Sequence, residues 1–215
     1  MIMSTETRTH SDHATAALSA AEAAHLRHSV RTYTDQPVSD AQLHALLEAT
    51  RRAPSAFNTQ PWRFVVVRDA ALKSDLMAAA NNQKQIGGAP VVIALYADME
   101  DTLAHLDEVV HPDLTPEARA NTIASFQRSW ANKSIEQRAI WANAQANIAL
   151  GYLLLVARSE GLGTSPMLGF NADKVKALLD IPSHATITAL VAVGHPGDDG
   201  FRSHRHSLDR IVSFR

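Results

Sequence analysis

A chain of 215 residues that is 46% hydrophobic has room for one domain with a substantial core; its 20 Lys and Arg against 22 Asp and Glu give a formal net charge of −2, and nothing in that balance points to nucleic acid. Zero cysteines exclude disulfides, thiolate zinc sites and cysteine nucleophiles. No apolar run reaches the ~18 residues that span a bilayer, and the N-terminus lacks the apolar stretch of a signal peptide, so a cytoplasmic location without a membrane partner is expected.

In chain order, residues 1–18 are polar, aperiodic and rich in Thr, Ser and His, and are expected to stay disordered. His10 and His13 in that tail, and His204 and His206 near the other end, lack the further ligands a metal site needs, so none is expected. Ser19 and Glu22 form a capping box that opens the first helix. The helix ends in Arg27-His28-Ser29-Val30-Arg31, where alternate positions put two guanidiniums and a hydroxyl on one side of an extended segment. That pattern fits either a phosphate cradle or a solvated basic stretch.

Ser39 and Gln42 open a second helix with Leu43, Leu46 and Leu47 on one face, which Pro54 stops. Between Pro54 and Pro61 lies a polar loop. Its Ser55, Asn58 and Gln60 both donate and accept, as recognition of a heterocycle edge requires, although Ser and Asn are also ordinary turn formers. A strand over 63–68, a helix over 69–80 and the amide-rich run Asn81-Asn-Gln-Lys-Gln85 follow. Gly87-Gly-Ala-Pro90 then leads into a strand over 91–97 whose unbroken apolar character predicts burial on both faces.

Residues 98–133 read as the least regular part, an insertion or lid with a helix start at Thr115-Pro-Glu. A long helix over 134–158 is apolar nearly all round from Ala146 to Ala157 and must be covered on every side; Gly151 at its middle suggests close approach of another backbone. Gly161-Leu-Gly-Thr-Ser-Pro-Met-Leu-Gly169 reads as a loop. It is either a plain helix cap and turn or a segment whose backbone approaches a flat ligand. A helix over 172–179, a strand over 186–193 and a basic tail with Arg202, Arg205 and Arg210 complete the chain.

Four segments together resemble the FMN-dependent nitroreductase family from about Ala20 to the C-terminus: Arg27–Arg31, Pro54–Trp62, Pro166–Gly169 and Arg205, with Asn82 and Gln85 between them. The resemblance implies a single α+β domain over 19–215, with a mainly antiparallel sheet flanked by helices. It also implies a homodimer with FMN at the subunit interface and the C-terminal extension reaching across the partner. By the same resemblance Arg27, Ser29 and Arg205 hold the phosphate and ribityl chain, His28 is among the cofactor-binding residues, and Arg31 lies near the N1–O2 edge. Pro54, Ser55 and Asn58 come from the partner, and Asn82 and Gln85 meet the ring edge. Pro166, Met167, Leu168 and Gly169 cover one ring face, and a backbone N–H there faces N5.

The family often has a basic residue where this chain has Ser203, so either Arg202 replaces it or phosphate binding is weaker; Leu168 replaces an acidic residue common in the family, which makes the pocket less polar. The implied activity is hydride transfer from NADH or NADPH through FMN to a small flat acceptor, a nitroaromatic or quinone, by a ping-pong scheme, with no side chain acting as catalytic acid or base. A specialised flavin enzyme of the same fold, such as a reductive dehalogenase, a flavin-fragmenting enzyme or an azoline dehydrogenase, is the alternative, as is a flavin-binding module without turnover.

Overall fold

The computed structural model describes residues 18–201 and 203–215; the N-terminal histidine pair and Arg202 lie outside the described residues. Four strands form one sheet: β1 (Trp62–Val67), β2 (Val91–Ala97), β3 (Gly163–Met167) and β4 (Thr186–Gly194). Their order is β1-β2-β4-β3, and every neighbouring pair is antiparallel. The helices described are α1 (Ala20–Leu26), α2 (Asp40–Thr50), α3 (Ala70–Ala79), α4 (Lys84–Gly88), α5 (Met99–Ala104), α6 (Leu106–Val109), α7 (Pro116–Ala131), α8 (Ile135–Ser159), α9 (Ala172–Leu178) and α10 (Leu208–Ile211).

The central strands explain the layering. Along β2 the side chains alternate between two cores: Val92 and Ala94 pack with Leu76 of α3, Ile86 of α4 and Val175 of α9, whereas Val91 and Ile93 pack with Leu46 of α2 and Leu153 of α8. The sheet is therefore covered on both faces, and β2 is buried almost throughout, as its apolar run predicts. Helix starts follow the capping chemistry. Ser19, Ser39 and Ser134 each close a reciprocal box with Glu22, Gln42 and Gln137, and Thr115 caps α7 with Pro116 in its first turn.

Two expectations need correction. The segment 161–169 is not a loop throughout, because Gly163–Met167 form edge strand β3, paired with β4 from Gly163↔Gly194 to Met167↔Leu190. Its Gly, Thr, Ser and Pro content hides the strand, and Pro166 is tolerated because an edge position spares its missing N–H. Residues 98–133 are not irregular: they fold as α5, α6 and α7, although no residue of α7 is buried. For α8, the described residues cover the inner face and leave the outer face partly open. Ala142, Ala146, Ala149, Leu153 and Ala157 are fully buried against the sheet, but Ile140, Ala144, Ile148, Gly151 and Tyr152 form an exposed stripe. A Cβ at Gly151 would meet nothing within 4 Å. Among the described residues α8 is also the one helix long and apolar enough to cross a membrane, and its inner face shows it to be the core helix of this domain.

The extended segment after α1 seals the free edge of β3: Ser29 bridges Thr164, and Val30 N–H donates to Thr164 O at 2.9 Å. Gly163 permits this approach, since a Cβ there would fall 2.7 Å from Val30 Cγ2. Gly163→Ala is expected to destabilise the fold by about 1–3 kcal/mol through overpacking, read as a lowered urea midpoint.

Candidate functional site

Two groups of polar residues gather at opposite edges of the sheet. At the β3 edge, Arg27 is the C-cap residue of α1 and is partly buried. The C-terminal tail returns to the same place, so that a Cβ at Gly200 would lie 2.9 Å from His28 Cδ2. Burial, and after it the positive charge of Arg205 nearby, lowers the Arg27 guanidinium from its ordinary pKa. Two arginines 178 positions apart in sequence, by the difference 205 − 27, thus converge without a carboxylate between them among the described ion pairs. Such a pair repels itself until an anion sits against it. His28 adds a buried Nε2 with no hydrogen-bond partner among the described residues, while its Nδ1 lies 3.2 Å from Leu26 O. Ser29 is partly buried, and Arg31 is exposed. Tyr33 fixes the register of this segment by donating its hydroxyl to Val30 O at 2.9 Å and Ala192 O at 3.2 Å, and burial pushes its pKa up.

The end of β3 opens beside the turn that follows α3. Met167 packs into the core, so only its backbone faces any ligand, whereas Pro166 is half-buried and Leu168 is 75% exposed. Gly169 O accepts from Asn81 Nδ2 at 3.0 Å and from Gln83 Nε2 at 2.9 Å. These two amides join Asn82 and Gln85 to the loop, and neither was singled out from the sequence; the amide-rich run 81–85 was the available signal. Gln85 sits in α4 and donates to Gln83 Oε1 at 3.3 Å. Asn81 and Asn82 both have φ of 54°, a left-handed backbone that asparagine tolerates better than most residues.

The second group lies off the start of β1, the other edge strand, three strand spacings or roughly 14 Å across the sheet from β3. Within the loop 54–61, Phe57, Asn58 and Gln60 have φ of 56°, 57° and 43°. Phe57 and Gln60 each cost about 1–3 kcal/mol in that region, so the surroundings must hold them there. Ser55 Oγ accepts from Gln60 N–H at 3.0 Å, and Asn58 Nδ2 donates to Val109 O at 3.1 Å. Ala56 N–H donates to Gln145 Oε1 of α8 at 2.9 Å. Pro54, Ser55 and Asn58 are therefore placed together, but apart from Arg27, Ser29 and Arg205 of the same chain.

Two cavities flank this loop. One of about 360 Å³ lies between Phe57 and α7, lined also by Asn121, Thr122, Ser125, Phe126, Ser129 and Trp130. The Phe57 and Phe126 rings meet edge to face at 5.6 Å, and Trp130 meets Trp141 of α8 at 4.8 Å. No charged side chain lines it. The other cavity, about 430 Å³, is polar and contains Gln60, Arg63, Asp101, His105 and Glu108.

His105 Nδ1 lies 2.9 Å from Asp101 O and 3.1 Å from its Oδ1, and these two contacts raise the His105 pKa above its ordinary 6.5. A raised folded-state value means stabilisation that is fully present below about pH 6.5 and lost as pH rises through the folded value. The urea midpoint of the wild type should therefore exceed that of His105→Gln at about pH 6, and the difference should shrink at higher pH.

Comparison with known proteins places these features. Residues 24–195 match the Nitroreductase family. A Thermus thermophilus NADH dehydrogenase is 51% identical over 198 residues, covering 92% of this chain and 97% of that one. An FMN reductase using NAD(P)H from Bacillus subtilis is 30% identical over 172 residues, 79% of this chain and 63% of its own length. Among solved structures, an Exiguobacterium sibiricum protein in complex with FMN superposes with a TM-score of 0.84 at 28% identity, over 93% of this chain and 98% of that one.

Proposed function

On the premise that the chain belongs to the nitroreductase family, which the family match and the 51% identical relative establish, we propose that it is an NAD(P)H-dependent FMN oxidoreductase whose flavin sits between two copies of the chain. The observation that carries this reading is the convergence of Arg27 and Arg205 beside the unpartnered Nε2 of His28. The two guanidiniums are donors that fit a terminal phosphate, and their positive charges favour FMN over an uncharged flavin. When bound, FMN accepts hydride from NADH or NADPH at N5 and hands the electrons on to an acceptor.

The chain's own residues bind and orient. Arg27, Ser29 and Arg205 would hold the phosphate and ribityl chain, with His28 beside them, and Arg31 would stand at the N1–O2 edge. Asn82 and Gln85, with Asn81 and Gln83 alongside, would meet the ring edge, while Pro166 to Gly169 would close one face. No side chain is assigned as a general acid or base.

The dimer reading joins the two groups. Pro54, Ser55 and Asn58 gather off the β1 edge, away from Arg27 and Arg205 at the β3 edge, and a second copy brings them to the flavin that those arginines hold. The exposed α8 stripe and the wholly exposed apolar residues Leu208, Ile211 and Phe214 of the tail are the surfaces that a partner covers. The segment 98–133 then serves as a lid, with α7 and Phe57 forming an aromatic slot for a flat acceptor such as a quinone or nitroaromatic. Because that slot carries no charge, uncharged acceptors are preferred to anionic ones.

Steady-state kinetics test the reading. Donor and acceptor using one ring face in turn give parallel double-reciprocal lines, and a neutral quinone should outperform a carboxylated analogue in kcat/KM. Intersecting lines would contradict the shared face, and absence of turnover would leave a flavin-binding module.

A further inference from the structure

The loop between Ser55 and Pro61 combines three left-handed non-glycine residues with bonds that are almost all between neutral groups. The exception is Arg63, the second residue of β1. Its Nη1 donates to Gln60 O at 3.0 Å and to Trp62 O at 2.8 Å, while Nε donates to Asp101 Oδ2 at 2.9 Å and Nη2 bonds the same oxygen. Asp101 is fixed in turn: its N–H donates to Asp98 Oδ1 at 2.9 Å at the start of α5, and its other carboxylate oxygen faces His105. An ordinary surface ion pair joins two side chains and contributes little. Here the planar fork divides between a carboxylate on a helix and the backbone carbonyls at the exit of the strained loop, a division that a single ammonium on a flexible stem does not reproduce.

We propose that Arg63, oriented by Asp101, is a positioning residue that clamps the 55–60 loop and thereby sets how Ser55 and Asn58 meet the flavin and how Phe57 walls the acceptor slot. The flavin half of this statement rests on the proposed function; the clamp itself does not. Arg63 lines the polar cavity and bonds Asp101 and the carbonyls of Gln60 and Trp62, so its effect passes through the loop.

The test uses the FMN-loaded protein with Arg63→Gln, Arg63→Lys and Asp101→Asn, read by hydrogen exchange of peptides over 54–61 and over β2 and β4, and by the FMN dissociation constant from fluorescence. Loop amides are expected to exchange about tenfold faster in Arg63→Gln and Asp101→Asn, as loss of a charge-assisted bond implies, with core amides unchanged. The FMN dissociation constant should rise several-fold in the same variants, and Arg63→Lys should resemble Arg63→Gln in both readouts. Loop exchange that stays at the wild-type rate, or that rises only together with core exchange, would overturn the clamp. Faster loop exchange with unchanged FMN affinity would overturn the link to the flavin. A wild-type protein that takes up no FMN would contradict the proposed function, and exchange in the flavin-free protein would still decide the clamp.

Discussion

Replacing Arg27 and Arg205 together with alanine is expected to abolish flavin retention while leaving the apo-protein at least as stable as the wild type. Each guanidinium contributes a charge-assisted contact to the phosphate worth about 1.5–3 kcal/mol, so each single variant should weaken FMN binding roughly tenfold to a hundredfold, and the double variant more. The stability half has the opposite sign to an ordinary loss of contact. In the empty site no carboxylate pairs with the two cations among the described ion pairs, and the Arg27 pKa is lowered first by burial and then by the charge of Arg205. Fluorescence titration with FMN and urea unfolding of the apo-protein measure the two halves separately. If stability falls as far as affinity, the arginines hold the fold together and are not a phosphate site.

Ile148→Lys is expected to have the second large effect, converting a dimer into monomers that lose FMN. Ile148, 39% exposed, stands mid-helix in the outward stripe of α8, one turn from Gly151 and Tyr152, where the described residues leave the helix partly open. An interface able to cover that stripe and the C-terminal tail belongs to the obligate class of above ~2,000 Å² in total, and an uncompensated ammonium at its centre is not tolerated. Light scattering with simultaneous absorbance reads mass and flavin content together. A variant that stays dimeric, or a wild type that is monomeric with FMN bound, would refute the shared site.

Much of the architecture was legible because local and global signals agree. The β2 strand, the serine-capped helices and the long α8 each carry a pattern that tertiary structure only confirms. Where sequence reading fell short, pairing or packing overrides propensity. β3 is written in glycine, threonine, serine and proline and becomes a strand through β4 on one side and Ser29 on the other. α7 buries nothing, so its weak apolar pattern gave little to read beyond the capped start at Thr115. Gly151 reads in the sequence as a site of close approach, and among the described residues an added Cβ there meets nothing within 4 Å. The candidate site was legible in a different way. Arg27 and Arg205 lie too far apart in sequence for spacing to relate them, and only resemblance joined them, whereas the fold brings their charges together. Asn81 and Gln83 went unread because an amide-rich turn has the same composition whether it faces solvent or pins Gly169.

The most direct measurement of the central claim is anaerobic titration of the FMN-reconstituted protein with NADH and NADPH, followed by visible absorbance and by mass. The account predicts one FMN per chain, two chains per particle, and full bleaching of the flavin by at least one of the two donors, with colour restored on addition of a neutral quinone. A colourless protein that retains no FMN, or bound flavin that neither donor bleaches, would contradict it.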